Sequence, residues 1–140
     1  MRRNEILVID TNCVLLKLYA RALLQLNRDQ QAITLLREHA PPVAQDPEYH
    51  ALLAALYQRA GRYDDAIALY RDLLQRNPHQ ALWWMGLAMA LEASQRPANA
   101  LSAYQQARSA GPGRHALMSF IEARIAALSH PQAADKQAQG

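Results

Sequence analysis

Residues 47–78 read PEYHALLAALYQRAGRYDDAIALYRDLLQRNP. Two runs rich in Ala and Leu lie on either side of Gly61, and both residue types favour helix because they lose little side-chain entropy in it. Asp46 before Pro47 is typical of an N-cap followed by the first helical position. Gly61 suits a turn that needs a positive φ, and Pro78 ends the second run. The stretch predicts helices over 47–60 and 63–76.

Alanine recurs on both sides of this stretch at a spacing of 34 residues, which is the length of a helix–turn–helix repeat. Ala54 has counterparts at Ala20 and Ala88, and Ala66 at Ala32 and Ala100. Larger residues recur in the same register, as Leu23/Tyr57/Leu91, Ile33/Ile67/Leu101, Leu36/Tyr70/Tyr104 and Tyr19/Leu53/Leu87. The small columns allow the two helices of a repeat to approach closely, and the large columns fill the space between repeats.

These columns resemble the tetratricopeptide-repeat (TPR) consensus. The first copy matches less well, because Asn27 stands at the Gly position and Leu36 at the aromatic one, whereas Trp84 of the third copy falls on a core position. For the neighbouring Trp83 two roles are possible: it shields the join to the second repeat, or it forms part of an exposed patch. The resemblance implies an all-α TPR solenoid of three repeats with a C-terminal capping helix. Its expected segments are an N-terminal extension over 1–12, a TPR domain over 13–128 with repeats at about 13–46, 47–80 and 81–114, a capping helix over 115–128 and a flexible tail over 129–140.

Seven helices are predicted from the repeat register and the turn signals, near 12–26, 29–40, 47–60, 63–76, 81–94, 97–110 and 114–128. The seventh has an apolar stripe opposite a polar face, and Glu122 stands where the repeats have Ala. A charged residue there is typical of a terminal helix whose outer side meets water.

In TPR proteins the inner groove is lined mainly by the first helix of each repeat. Extending that register predicts a partner-binding groove lined by Lys17, Arg21, Gln25, Ala51, Ala55, Gln58, Arg59, Leu82, Met85, Met89 and Glu92. Met85 and Met89 are one helical turn apart, and flexible thioethers adapt to irregular apolar partners. The alternative is that these methionines pack against the seventh helix or another subunit.

Composition argues against several other classes of function. The net charge is +3 and the basic residues are scattered, so a nucleic-acid interface has little support. Cys13 is the only cysteine, and the five histidines lack metal-ligand spacing, so neither a cofactor nor a metal is expected. The apolar run 6–9 is too short to span a membrane.

An enzyme-like feature lies in residues 5–12, EILVIDTN. This segment resembles the first strand of PIN-type ribonucleases, whose first Asp helps to bind a catalytic metal. That fold also needs acidic residues from later strands, and no second strand is predicted here. The favoured interpretation is an N-terminal segment that ends in a helix cap at Asp10 or Thr11, in a chain that is not an enzyme.

A narrower resemblance is carried by YHALLAALYQRAGRYDDAIALY at 49–70 and by LLQRNPHQALWWMGLAMALE at 73–92. Both are similar to the C-terminal repeats of the MshN family, which serves the biogenesis of the MSHA type IV pilus. The family implies repeats at the periplasmic face of the inner membrane, behind a membrane segment that is not found in this sequence. If the resemblance does not hold, a cytoplasmic location is expected.

The sequence therefore predicts a scaffold for pilus biogenesis or secretion machinery that binds a partner helix or peptide. The alternative is a chaperone-type receptor for client polypeptides. An incompletely covered end of the repeat stack is also compatible with a homodimer.

Overall fold

A computed structural model describes residues 2–130, with side chains described from Asn12 onward. This part of the chain forms seven α-helices and no strand: α1 (Arg2–Gln25), α2 (Asp29–Glu38), α3 (Pro47–Arg59), α4 (Tyr63–Arg76), α5 (Ala81–Ala93), α6 (Pro97–Ala110) and α7 (His115–Ser129). The all-α prediction is confirmed, and six of the seven helices begin within one residue of the predicted position.

The first helix is the exception, because it begins at Arg2 rather than near residue 12. The predicted cap at Asp10 or Thr11 is therefore wrong, as both residues lie inside α1. Residues 5–10 are helical as well, which contradicts the strand that the ribonuclease alternative requires. The β-branched residues of this segment lower helix propensity by only tenths of a kcal/mol each, and no Gly or Pro interrupts it. The remaining predicted tail, residues 131–140, lies outside the described residues.

Contacts divide the chain into two compact units, Met1–Leu69 and Tyr70–Gly140. In the first unit α1 packs against α2, and α3 packs against both. In the second unit α6 contacts both α5 and α7.

The six column alanines, Ala20, Ala32, Ala54, Ala66, Ala88 and Ala100, are all fully buried. Most members of the large columns are buried as well, including Leu23, Tyr57 and Leu91. The prediction that small residues mark close helix contacts agrees with this burial.

The turn inside each repeat needs a left-handed residue at one position. Asn27, Gly61 and Gln95 stand at equivalent positions of the register and have φ values of 58°, 79° and 63°. Only the second repeat places a glycine there, so the other two turns hold a side chain in a conformation that L-residues rarely adopt. Gly61 thus has the role that the sequence predicts for it.

The N-terminus of α3 is capped as predicted. The Asp46 carboxylate accepts a hydrogen bond of 3.1 Å from the Tyr49 amide, and Pro47 occupies the first turn. Within residues 2–130, none of the helices combines the length and apolarity that crossing a bilayer requires.

Candidate functional site

The predicted groove residues of α1 lie on one side of that helix. Lys17 is half-buried and its Nζ lies 3.1 Å from an Asp46 carboxylate oxygen. Arg21 and Gln25 follow at intervals of one turn and are exposed. Lys17 is therefore already paired within the first unit, whereas Arg21 and Gln25 present polar groups to solvent.

The predicted residues of α3 behave differently from one another. Ala51 and Gln58 are half-buried, and Ala55 and Arg59 are exposed. The Arg59 guanidinium donates to Asp29 Oδ2 at 3.0 Å, and to Asn27 Oδ1 at 3.1 Å. Arg59 thus holds the end of α3 to the turn between α1 and α2, a role that sequence reasoning missed.

The α5 helix presents the apolar part of the predicted groove. Leu82, Met85 and Met89 occur at i, i+3 and i+7, so they lie on one face of the helix. Leu82 is 54% exposed and Met89 36%, whereas Met85 is half-buried. Three large apolar side chains thus remain at least partly accessible on this face, as the prediction of an apolar binding surface requires.

Glu92, on the last turn of the same face, has partners inside the second unit. Arg124 of α7 forms an ion pair with its carboxylate, and the Tyr104 hydroxyl of α6 donates to it at 3.0 Å. Burial raises the pKa of Tyr104 to about 12 from an ordinary value of 10, and at neutral pH its hydroxyl is protonated and donates. Glu92 thus links α5 to α6 and α7, and this ion pair had no signal in the repeat register.

The two tryptophans of α5 differ in burial, and Trp84 is less buried than its predicted core position requires. Trp83 is buried, whereas Trp84 is half-buried and donates from Nε1 to the Pro78 carbonyl oxygen at 2.7 Å. Trp84 also lines a groove of about 590 Å³ in the second unit, together with Arg71, Leu74, Gln75, Pro78, Leu87, Leu91, Asn99, Ser102, Ala103 and Gln106. The consensus position therefore does not give a fully enclosed tryptophan here.

A second groove, of about 740 Å³, lies in the first unit beside α1. It is lined by Asn12, Cys13, Leu15, Leu16, Tyr19, His39, Pro41, Pro42 and Gln45. The wall opposite α1 belongs to the α2–α3 connection, which His50 holds through a contact of 2.7 Å between its Nε2 and the Pro41 carbonyl oxygen. Neither the groove nor the exposure of Leu15 and Tyr19 was predicted from the sequence.

Across the side chains described from residue 12 to 130, no group of three or more His, Cys, Asp or Glu residues could hold a metal ion. The tyrosines with displaced pKa values, Tyr49, Tyr70 and Tyr104, are shifted upward to about 12, chiefly by burial. A phenol with such a pKa is a poor general base near neutral pH.

Two family models match the sequence, and both describe a tetratricopeptide repeat. One covers residues 10–56 and the other residues 52–115. The chain contains tetratricopeptide repeats. The fold class is accordingly the TPR-like helical solenoid that the sequence predicts, and TPR families are non-enzymatic scaffolds that bind proteins. Comparison with curated protein sequences yields no match.

Several solved TPR structures share the fold at low sequence identity. PcrH from Pseudomonas aeruginosa has a TM-score of 0.76 and 17% identity, over 85% of this chain and 92% of that chain. The Yersinia enterocolitica type III secretion chaperone SycD, in complex with a peptide of the translocator YopD, has a TM-score of 0.76 and 19% identity, over 88% and 95%. The first TPR of Spaghetti, bound to an HSP90 peptide, has a TM-score of 0.71 and 15% identity, over 86% and 93%.

Proposed function

We propose that this chain is a non-catalytic interaction protein that binds an apolar or amphipathic segment of a partner polypeptide on the α5 face. The observation that carries the proposal is the row Leu82, Met85 and Met89, which keeps large apolar side chains accessible on one side of a helix. Burying apolar surface away from water is favourable by about 25 cal/mol per Å². A partner helix that covers these side chains would gain that energy.

The rest of the α5 face favours an apolar partner over a charged one. Its one acidic side chain, Glu92, is engaged by Arg124 and Tyr104 and so is not available to a cationic partner. Met85 and Met89 can adjust their rotamers to partners of different shape. Leu82, at the opposite end of the row, is the most exposed of the three and would make the first contact.

The finer proposal concerns the machinery that the partner belongs to. The resemblance of residues 49–92 to the MshN family supports a scaffold for type IV pilus biogenesis. The fold shared with a type III secretion chaperone that binds a translocator peptide supports the alternative, a chaperone-type receptor for client polypeptides. The two differ in what the α5 face would hold: a stable assembly component in the first case, and a variety of client segments in the second.

Capture experiments with matched variants test both levels. The tagged chain is incubated with a Gram-negative lysate beside Met85→Glu/Met89→Glu and beside Ala98→Glu, which places a charge at an exposed position of α6. The proposal expects the double variant to lose the captured proteins while Ala98→Glu keeps them, with equal far-UV circular dichroism. Equal capture by all three would reject the α5 site. Among retained proteins, pilus-assembly components support the scaffold, and a heterogeneous set supports the chaperone.

A further inference from the structure

The outward face of α1 is unusually apolar for a helix surface. Leu15, Leu18, Tyr19 and Leu26 are each more than half exposed, and Ala22 between them is exposed as well. Their spacing of three and four residues places them in one stripe along the helix. The opposite side of α1 is already buried through Cys13, Ala20 and Leu23. A helix that is apolar on both sides is typical of one with neighbours on both sides.

The repeat register identifies what this stripe corresponds to. Leu15 is 58% exposed, whereas its equivalents Tyr49 and Trp83 are 0% and 7% exposed. Tyr19 is 57% exposed, and its equivalents Leu53 and Leu87 are both 5% exposed. Ala22 is exposed, and its equivalents Leu56 and Ala90 are buried. At each of these positions the side chain is exposed in the first repeat and buried in the second and third repeats.

The second helix of the preceding repeat contributes to this burial. In the first unit α3 packs against α2, and the Tyr49 hydroxyl donates to the Leu36 carbonyl oxygen of α2 at 2.7 Å. In the second unit the Tyr70 ring of α4 lies directly over Gly86 of α5. The α1 stripe is thus a stacking surface without the helix that covers its two equivalents.

The charge around the stripe indicates the kind of helix that fits. Among the described side chains of α1 and its following turn, the charged groups are Lys17, Arg21 and Arg28, and none is acidic. From α2, the exposed Glu38 lines the neighbouring groove together with Arg28, so the cations outnumber the single carboxylate. Lys17 is paired with Asp46, but Arg21 and Arg28 are exposed. A second copy of this chain would bring the same cations to the contact, whereas a helix with acidic residues beside its apolar face would complement them.

The surface is large enough for specific docking. The stripe is flanked by the groove of about 740 Å³ that Leu15 and Tyr19 line, and by a second one of about 460 Å³ that Tyr19 lines with residues of α2. Covering the five exposed side chains would remove on the order of 500 Å² of apolar surface on this chain, or roughly 1,000 Å² with the partner, which reaches the lower range of specific interfaces.

We propose that the α1 stripe docks an amphipathic helix of a partner protein, with acidic residues along its flanks, in the position that the second helix of a preceding repeat would occupy. This site is carried by α1, whereas the proposed function rests on α5. The two therefore succeed or fail independently.

The chain itself supplies a suitable probe. A fluorescein-labelled peptide of residues 63–76, YDDAIALYRDLLQR, reproduces a helix that covers the equivalent surface and carries Asp64, Asp65 and Asp72 beside its apolar face. Fluorescence anisotropy with the full chain should give saturable binding in the micromolar range. Leu15→Asp and Tyr19→Asp should each weaken it at least tenfold, and a peptide with the three Asp residues changed to Asn should bind a few-fold more weakly at low salt.

Ala126→Asp is the matched control, because Ala126 is exposed on α7, outside the α1 stripe and the α5 face; it should leave peptide affinity unchanged. Should Leu15→Asp lower the helix content, Ala22→Asp on the same stripe replaces it. Absence of saturable binding, or equal affinity in the α1 variants, overturns the proposal. The oligomeric state of the chain alone, measured by analytical ultracentrifugation, gives the other contrary outcome. If the parent is a dimer and Leu15→Asp is a monomer, a second copy of the chain covers the stripe.

Discussion

Gly86 of α5 lies directly beneath the aromatic ring of Tyr70, so closely that a β-carbon on Gly86 would overlap the ring atoms. Both residues belong to the second unit and join α4 to α5. Glycine inside a helix normally costs about 1 kcal/mol relative to alanine. At this position the close approach of the Tyr70 ring gives a reason for the glycine that helix propensity alone does not.

Gly86→Ala should therefore lower the free energy of unfolding by about 1–3 kcal/mol, as in other overpacked sites. Urea denaturation followed by circular dichroism measures the change. The double variant Gly86→Ala/Tyr70→Leu removes the ring altogether. Its loss of stability should be smaller than the sum of the losses in the two single variants, because the overlap disappears. A gain of about 1 kcal/mol in the single variant, as propensity alone would give, contradicts this account.

Leu53 and Tyr19 occupy the same column but differ in burial, which gives a matched pair. Leu53→Ala should cost about 2–4 kcal/mol because it leaves a cavity at an enclosed site. Tyr19→Ala should change the stability by less than about 1 kcal/mol because its side chain is already in contact with water. Equal losses in the two variants, measured by the same denaturation, would mean that Tyr19 is covered in solution.

Replacing a left-handed turn residue by glycine should stabilise the fold, unlike the destabilising substitutions above. Gln95→Gly should raise the stability by roughly 0.5–1 kcal/mol, because Gln95 has a φ of 63° that favours glycine. Asn27→Gly should gain less or lose, since Asn tolerates this conformation and the Asn27 amide oxygen accepts a hydrogen bond from Arg59. Thermal melting compares the variants; a lower melting temperature for Gln95→Gly would contradict the assigned turn.

Alkaline pH should destabilise the fold through Tyr70. Burial raises the pKa of Tyr70 to about 12 from an ordinary value of 10, so the unfolded chain loses this proton first. The contribution of protonated Tyr70 to the free energy of unfolding is complete below pH 10. It is lost as pH rises towards 12, by up to about 1.4 kcal/mol per pH unit. Urea denaturation at a series of pH values checks this, and Tyr70→Phe should show a shallower decline than the parent. An identical decline in both proteins would mean that other groups cause it.

Much of the fold could be predicted from the sequence because repeat positions impose residue types. The buried alanine columns, the Asp46 cap and the left-handed Gly61 follow from steric size and backbone conformation, which a single sequence displays. The start of α1 could not be predicted from the same signals, because the segment holds no terminating residue and its β-branched residues made a strand equally compatible with the pattern.

The candidate site was predictable only in part. Register alone placed Leu82, Met85 and Met89 on one side of α5, where they keep accessible surface. It could not foresee that Glu92 and Arg59 are engaged by distant side chains, because ion pairs depend on how helices far apart in sequence pack together. The exposure of Leu15 and Tyr19 likewise depends on which helix precedes α1 in space, which no residue type records.

The central claim, that the α5 face holds a partner segment, is tested most directly by site-specific photo-crosslinking. A photoreactive amino acid is placed at position 82 or 89, and at the exposed positions 98 and 126 as controls. The account predicts that positions 82 and 89 crosslink to an apolar or amphipathic segment of another polypeptide and that the controls do not. Crosslinks from 82 and 89 confined to this chain itself, or equally strong crosslinks from all four positions, would contradict it.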